Sequence, residues 1–324
     1  MQRTKLGGSE LNVPAICLGG NVYGWTVPEA EAFRQLDAAF AAGLNFIDTA
    51  DVYSRWAPGH QGGESETIIG NWMAQRGNRR QVIVATKVGM DMGGGNKGLK
   101  PGYIRQAVED SLRRLRTDYI DLYQAHTDDA ATPLVETLRA FDALVQAGKV
   151  RALGASNYGA ARLAEALRIS RDNGLAGYAS LQPQYNLMER LDFETTLLPV
   201  VRQGGLGVIP YYALASGFLS GKYRGEADLK GRARAGSVSK YLNERGFKVL
   251  GALDAVARDH DSTPARVALA WLRAQPGVTA PIASATSLEQ IADLAAAANL
   301  TLDTDSMARL SAASLPASAP ASAT

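Results

Sequence analysis

The chain has 324 residues, 46% hydrophobic and 20% charged, which is ordinary globular usage and excludes a disordered chain. Its 34 lysines and arginines against 32 aspartates and glutamates leave +2, too small an excess for a dedicated nucleic-acid binder. The single cysteine, Cys17, excludes a disulfide framework and a cysteine-based zinc site and fits a reducing compartment. No run approaches the ~18 uninterrupted apolar residues of a membrane span, and Met1–Glu10 lacks an apolar signal region. The expectation is a cytoplasmic globular protein with neither a membrane nor a nucleic-acid partner.

Arg3–Leu6 and Leu11–Val13, joined by Gly7-Gly8-Ser9, read as a hairpin. A strand over Ala15–Gly19 precedes a helix over Glu29–Ala42, whose Ala32, Phe33, Leu36, Ala39 and Phe40 recur at helical spacing. The alternation then continues. Strand Leu44–Ile47 leads to helix Glu64–Gln75, and strand Val82–Thr86 to helix Tyr103–Leu115. Strand Tyr119–Tyr123 precedes helix Pro133–Ala147, which has Thr132 as a cap and Gly148 as its stop. Strand Val150–Gly154 is followed by helix Gly159–Asn173, and strand Ala179–Gln182 by helix Leu191–Gln203. Strand Gly207–Pro210 leads through a long Gly221–Ser239 segment, a candidate mobile loop, to helix Tyr241–His260. Strand Thr279–Ile282 and helix Ser287–Ala298 complete the series, and Pro316–Thr324 reads as a disordered tail.

The strands are short and nearly all apolar, as in parallel sheets buried on both faces. Eight of them, each followed by a helix, predict an α/β fold, a (β/α)8 TIM barrel, with the hairpin closing its bottom. A doubly wound open sheet is the competitor. The strand count and the lack of a mid-chain linker favour the barrel, as a single domain over residues 1–315.

Active sites of such barrels lie at the C-terminal strand ends. The first polar side chains there are Asp48 and Tyr53 after the second strand, Lys87 after the third and His126 after the fourth. Ser156-Asn157, Gln182, Tyr211-Tyr212 and Ser284 follow the later ones. Core packing does not demand that set. A phenol has a reference pKa of about 10. A lysine ammonium beside it is expected to lower that value, with Asp48 pairing Lys87. A neutral His126 would orient a substrate oxygen. This is a general acid for an oxygen that gains a proton while carbon gains hydride. No side chain donates hydride, so a cofactor is needed and a metal is not expected. Tyr23, Trp25 and Trp56 fall in the first two loops and would wall an apolar substrate pocket, with Arg55–Gly63 able to move over it. Gly93, Gly95 and Gly98 match G-x-G-x-x-G. Gly89–Met92 separates them from the strand and Lys100-Pro101-Gly102 from the helix, so they read as a loop and not a dinucleotide fingerprint.

Leu44–Ser54 (LNFIDTADVYS), Val84–Lys87 (VATK), Tyr119–His126 (YIDLYQAH), Val150–Asn157 (VRALGASN), Leu181–Leu187 (LQPQYNL) and Pro210–Lys222 (PYYALASGFLSGK) resemble the aldo-keto reductase superfamily. The likeness runs from about Lys5 to about Leu310, and is nearer the bacterial and potassium-channel β-subunit-like branches than the mammalian aldose-reductase branch. It implies a tetrad of Asp48, Tyr53, Lys87 and His126, with Tyr53 as general acid/base, and a nicotinamide site. Ser156, Asn157 and Gln182 would hold the carboxamide, and Tyr211 would stack on the ring. Leu214, Ser216, Gly217, Leu219, Gly221 and Lys222 would line the diphosphate. Gly20 and Asn21 would sit by the ribose beside Asp48. Ser284, Thr286 and Gln290 fall where the family contacts the adenosine 2′-phosphate. The stretch 284–290 has no Lys or Arg, and Leu294 replaces a common asparagine, so NADP(H) is favoured over NAD(H) on family grounds alone. Arg232 or Arg234 is the alternative phosphate fork.

The implied function is interconversion of aldehydes or ketones and alcohols by hydride transfer with NAD(P)H. The partner is a small-molecule carbonyl or alcohol; aldehyde, ketone, sugar-like and polyketide-like compounds all fit, and the oligomeric state stays open. Two alternatives stand beside it: an NADP-binding redox-sensing regulatory subunit, and an NADP-dependent dehydrogenase of bulky secondary alcohols.

Overall fold

The computed structural model describes residues 2–315; the expectation for the tail at 316–324 lies outside them. Two antiparallel strands, β1 (Arg3–Lys5) and β2 (Asn12–Pro14), form the hairpin. Eight parallel strands follow: β3 (Cys17–Gly19), β4 (Phe46–Asp48), β5 (Ile83–Val88), β6 (Ile120–Ala125), β7 (Val150–Ser156), β8 (Tyr178–Gln182), β9 (Gly207–Val208) and β10 (Ile282–Ala283). Their spatial order is β10-β3-β4-β5-β6-β7-β8-β9. The ring closes through the short run before β10. Val208 N–H donates to Gly277 O at 3.1 Å, Thr279 N–H to Val208 O at 2.8 Å, and Ile282 N–H to Pro210 O at 2.9 Å. The fold is the (β/α)8 barrel.

The helices are α1 (Glu29–Ala41), α2 (Glu64–Arg76), α3 (Pro101–Leu115), α4 (Leu134–Gln146), α5 (Ala160–Asp172), α6 (Leu198–Gly204), α7 (Ala235–Val238), α8 (Glu244–Asp259), α9 (Pro264–Arg273), α10 (Leu288–Ala297) and α11 (Thr304–Ala313). Contacts run α10–α1–α2–α3–α4–α5–α6, with α9 against α10, which makes the outer layer. Helices α8 and α11 are additions that pack on one another. Three of these elements, α7, α9 and α11, have no counterpart among the helices expected from the sequence. The expected helix over 191–203 begins as a π-helical turn at Phe193–Leu197 before α6. The Gly221–Ser239 segment contains 3₁₀ and α turns at 226–229 and 235–238.

Each strand divides its residues between two cores, because successive side chains point to opposite faces. In β5, Val84 and Val88 face the helices, while Ala85 faces the barrel interior with Phe46, Leu122 and Ile209. The hairpin inserts Leu6, Leu11 and Val13 into that inner core, so the bottom is filled. Gly7 turns there with φ +52, and a Cβ on it would lie 2.1 Å from Ala179 O. The inner strand positions near the top are polar, and that is where the chemistry sits.

Candidate active site

Lys87 projects from β5 into the barrel and is fully buried. Its ammonium donates to Asp48 Oδ2 at 2.7 Å, to Thr49 O at 2.8 Å and to Tyr53 Oη at 2.8 Å. Those three bonds use its whole donor set. Tyr53 Oη donates to Asp48 Oδ2 at 3.1 Å. The second Asp48 oxygen accepts from Gln182 Nε2 at 2.9 Å and, at 3.4 Å, from Gln124 Nε2. A buried ion pair is tolerable when its remaining lone pairs and protons are satisfied in this way.

Gln124 was not among the residues singled out in the sequence. It stands two residues before His126 on β6, hence on the same inward face, and that period of two was the available signal. His126 extends β6, its N–H donating to Val88 O at 2.8 Å. Its ring centre lies 6.0 Å from that of Tyr53. Burial first, then the Lys87 charge, holds its pKa well below the usual histidine range, so the imidazole is neutral.

Tyr53 departs from the sequence expectation. Burial, followed by the Asp48 carboxylate, pushes its pKa above that of a free phenol, where a lowered value was anticipated. The reason is electrostatic balance: Asp48 offsets the Lys87 charge beside the hydroxyl and also accepts its proton in a hydrogen bond. The resting hydroxyl therefore keeps its proton at neutral pH.

The remaining candidates distribute around the mouth. Ser156 Oγ donates to Gln182 O at 2.9 Å. Asn157 Nδ2 donates to His126 O at 2.9 Å, and Asn157 Oδ1 accepts from Tyr211 Oη at 2.9 Å, which ties three strand ends together. Ser284 Oγ donates to Asn21 Oδ1 at 2.6 Å. Gly20 passes so close to Asp48 O and Ser65 Oγ that a Cβ would sit 2.9 and 3.1 Å from them. Gln290 turns back on its own helix start, accepting from Thr286 N at 2.9 Å.

The 211–222 stretch is conformationally unusual. Tyr212, Ala215, Ser216, Gly217 and Gly221 all have positive φ. Of the seven non-glycine residues with positive φ among the described residues, five (Ser54, Asn157, Tyr212, Ala215 and Ser216) lie in loops at the C-terminal strand ends. Such strain persists where surrounding structure over-determines it, commonly at ligand sites. Lys222, Arg232 and Arg234 are near enough for both arginines to depress the lysine pKa, after burial, and none has a carboxylate partner among the described residues. The Arg234 guanidinium lies over the Trp25 ring, 5.9 Å from its centre. An uncompensated cationic group of this kind suits an anionic ligand.

Trp56 is half exposed, edge-on to Tyr53 at 6.0 Å and to Trp25 at 5.6 Å. Tyr23 is different: it is fully buried, with its hydroxyl enclosed and unpartnered, so it belongs to the core and not to an open pocket wall. A cavity of about 730 Å³ opens beside Asn157 and Tyr211, bounded by 188–192 and 195–197. Gly93, Gly95 and Gly98 lie with positive φ in a self-bonded loop after β5, where Asn96 N–H donates to Gly93 O at 3.0 Å, and open no helix. Among the described residues no helix is long and apolar enough to cross a membrane.

A family model described as the aldo/keto reductase family matches residues 15–314. The chain is 37% identical to an uncharacterized oxidoreductase, YrpG, of Bacillus subtilis over 94% of its own length and 93% of the relative's. It is 34% identical to the protein tas of Escherichia coli, over 96% and 97%. A probable voltage-gated potassium channel subunit beta of Oryza sativa is 33% identical over 90% of each chain.

Proposed function

Because the chain belongs to the aldo/keto reductase family, an oxidoreductase family that uses nicotinamide cofactors, we propose that it interconverts aldehydes or ketones and alcohols with NAD(P)H. One observation carries the reading: the Tyr53 hydroxyl stands 2.8 Å from a buried ammonium at the barrel mouth, with a neutral imidazole beside it.

The residues present fit a dinucleotide. Ser156, Asn157 and Gln182 supply amide and hydroxyl groups for a carboxamide, and the half-buried Tyr211 offers a ring face. Leu214, Ser216, Gly217, Leu219 and Gly221 supply a strained backbone loop, and Lys222, Arg232 and Arg234 supply charge for phosphates. Ser284, Thr286 and Gln290 remain the family-based choice for the adenosine side, with NADP(H) preferred. When bound, the nicotinamide supplies the hydride.

The chain's own residues handle the proton. Tyr53 Oη keeps its proton until an oxygen gaining negative charge competes for it. The Lys87 ammonium then faces the phenolate left behind and stabilises it, while Asp48 keeps the lysine in place. His126, neutral, donates to the same substrate oxygen and orients it. In the oxidative direction the phenolate is the base. Trp25 and Trp56 wall the substrate side.

The test is oxidation of NADPH, and separately NADH, with 4-nitrobenzaldehyde. Tyr53→Phe is expected to lose about 10²–10⁴ in kcat, the range for a positioned proton donor, while NADPH still binds by fluorescence titration. Turnover at the wild-type rate in that variant sinks the assignment. Comparing rates with NADP⁺ and NADPH separates a dehydrogenase of bulky secondary alcohols from a reductase. The likeness to proteins named as potassium channel beta subunits favours one second reading, a redox-sensing regulatory subunit. Tight NADPH binding with negligible turnover across a carbonyl panel would select it.

A further inference from the structure

The loop between β4 and α2 carries a carboxylate that the reaction above does not use. Asp51 lies three residues after Asp48 and two before Tyr53. It is 2% exposed, and neither of its carboxyl oxygens has a well-formed hydrogen bond among the described residues; the neighbouring Val52 N–H approaches the carboxyl without closing one. An ionised carboxylate in such a place is costly unless a cation is dedicated to it.

The surrounding elements supply no such cation. From α2, Glu66 faces it, fully buried and itself an acid. The Glu66 oxygens are held by Thr86 Oγ1 at 2.5 Å and Arg114 Nε at 2.6 Å. From α3, Arg114 is therefore committed to Glu66 and, at 3.3 Å, to Ser111 Oγ. From β5, Lys87 sends its ammonium into the barrel, and only its carbonyl meets Asp51, accepting Asp51 N–H at 3.4 Å. Tyr103 of α3 and Tyr123 of β6 are close enough for the acid to perturb them, and the Tyr123 hydroxyl is buried without a partner. Asp91 and Asp110 act on Tyr103 and add only negative charge. Burial, then Glu66, raises the Asp51 pKa to about 8, against the weaker opposing pull of Arg114, the Val52 N–H and Lys87.

Resting on the function proposed above, we infer that Asp51 is a positioning residue that works in its protonated form. Neutral, it packs beneath the segment that presents Asp48, Thr49 and Tyr53. Ionised, it seeks water, carries that segment with it and withdraws the Tyr53 hydroxyl from Lys87. The proton is lost as pH rises, so the site disengages on the alkaline side.

The experiment is a pH profile of kcat/KM for NADPH and 4-nitrobenzaldehyde. At about pH 9, one unit above the Asp51 value, wild type is expected to fall about tenfold from its plateau at about pH 7. Asp51→Asn and Asp51→Leu, neutral at every pH, are expected to hold the plateau to within about twofold. Where one of the two fails to fold, the other carries the test. Glu66→Gln, which removes the neighbouring negative charge and loosens the claim on Arg114, is expected to move the break to lower pH. A second readout needs no turnover. Tryptophan fluorescence is expected to shift near pH 8 in wild type, not in Trp56→Phe, and not in either Asp51 variant. The same alkaline break in the Asp51 variants, or no fluorescence shift in wild type, overturns the inference. If no protein turns over but the fluorescence step still depends on Asp51, the reductase reading fails and the loop control stands.

Discussion

A buried ammonium with three acceptors is only as secure as the charge that offsets it. Lys87 is 0% exposed, and Asp48 is the one carboxylate bonded to it among the described residues. Asp48→Asn keeps the shape and one acceptor while removing the charge. Breaking a buried pair from one side costs about 3–5 kcal/mol, because an uncompensated charge remains inside. The expected outcome is a loss of that size in urea unfolding. Adding Lys87→Met is expected to restore most of the stability and none of the turnover, since the stranded charge is gone along with the phenolate's partner. A double variant no more stable than Asp48→Asn would mean that the stranded charge is not the main cost. At this scale the grouping was legible in the sequence because Asp48 and Lys87 stand at the C-terminal ends of β4 and β5 and His126 just past β6. It did not carry the resting state of Tyr53. Residue types name the neighbours, whereas the direction of the pKa depends on burial and on how far Asp48 cancels Lys87.

Elements were legible where one physical signal dominated. The strands are apolar on both faces and short, so they stood out between amphipathic helices. Helix α9 did not, although it has a good start: Thr263 caps it, accepting from Arg266 N, and Pro264 follows. Val267 to Leu272 are all buried, and in these ten residues only Arg266 and Arg273 mark the polar side, so the stripe is carried by two charges on a short run. Helix α11 has the opposite difficulty, with Ser306, Leu310 and Ala313 as its sparse buried set. The long segment after β9 reads as a candidate mobile loop because its helical turns are too short to show a period, and it brings Arg232 and Arg234 toward Lys222. If those cations hold a phosphate, Arg234→Ala is expected to weaken NADPH by about tenfold, the scale of one charge-assisted hydrogen bond. NADH, lacking the 2′-phosphate, is expected to weaken less, and fluorescence titration of both cofactors reads the difference. Equal losses would place Arg234 on the shared diphosphate instead.

The whole molecule separates stability from chemistry along the barrel axis. The bottom is closed by a hairpin that packs Leu6, Leu11 and Val13 into the inner core, and the mouth is opened by loops that hold strained residues. Gly7 tests this division. It has φ +52, and an added Cβ would fall 2.1 Å from Ala179 O and 2.6 Å from Gly207 N, both backbone atoms that cannot swing aside. Gly7→Ala must therefore lift the hairpin, exposing Leu6 from a core in which it is fully buried. Re-exposing one such leucine costs about 1.5–3 kcal/mol before any backbone strain is counted. The expected outcome is a lower unfolding midpoint with an unchanged m-value, since the surface exposed on unfolding hardly differs. The folded fraction should keep wild-type kcat/KM, because Lys87, Tyr53 and His126 are held from the other end of the same strands. A Gly7→Ala protein that is fully stable would show that the hairpin does not plug the barrel. One that stays folded but loses kcat/KM would show that bottom and mouth are coupled through the strands, and that stability and catalysis cannot be tuned apart in this fold.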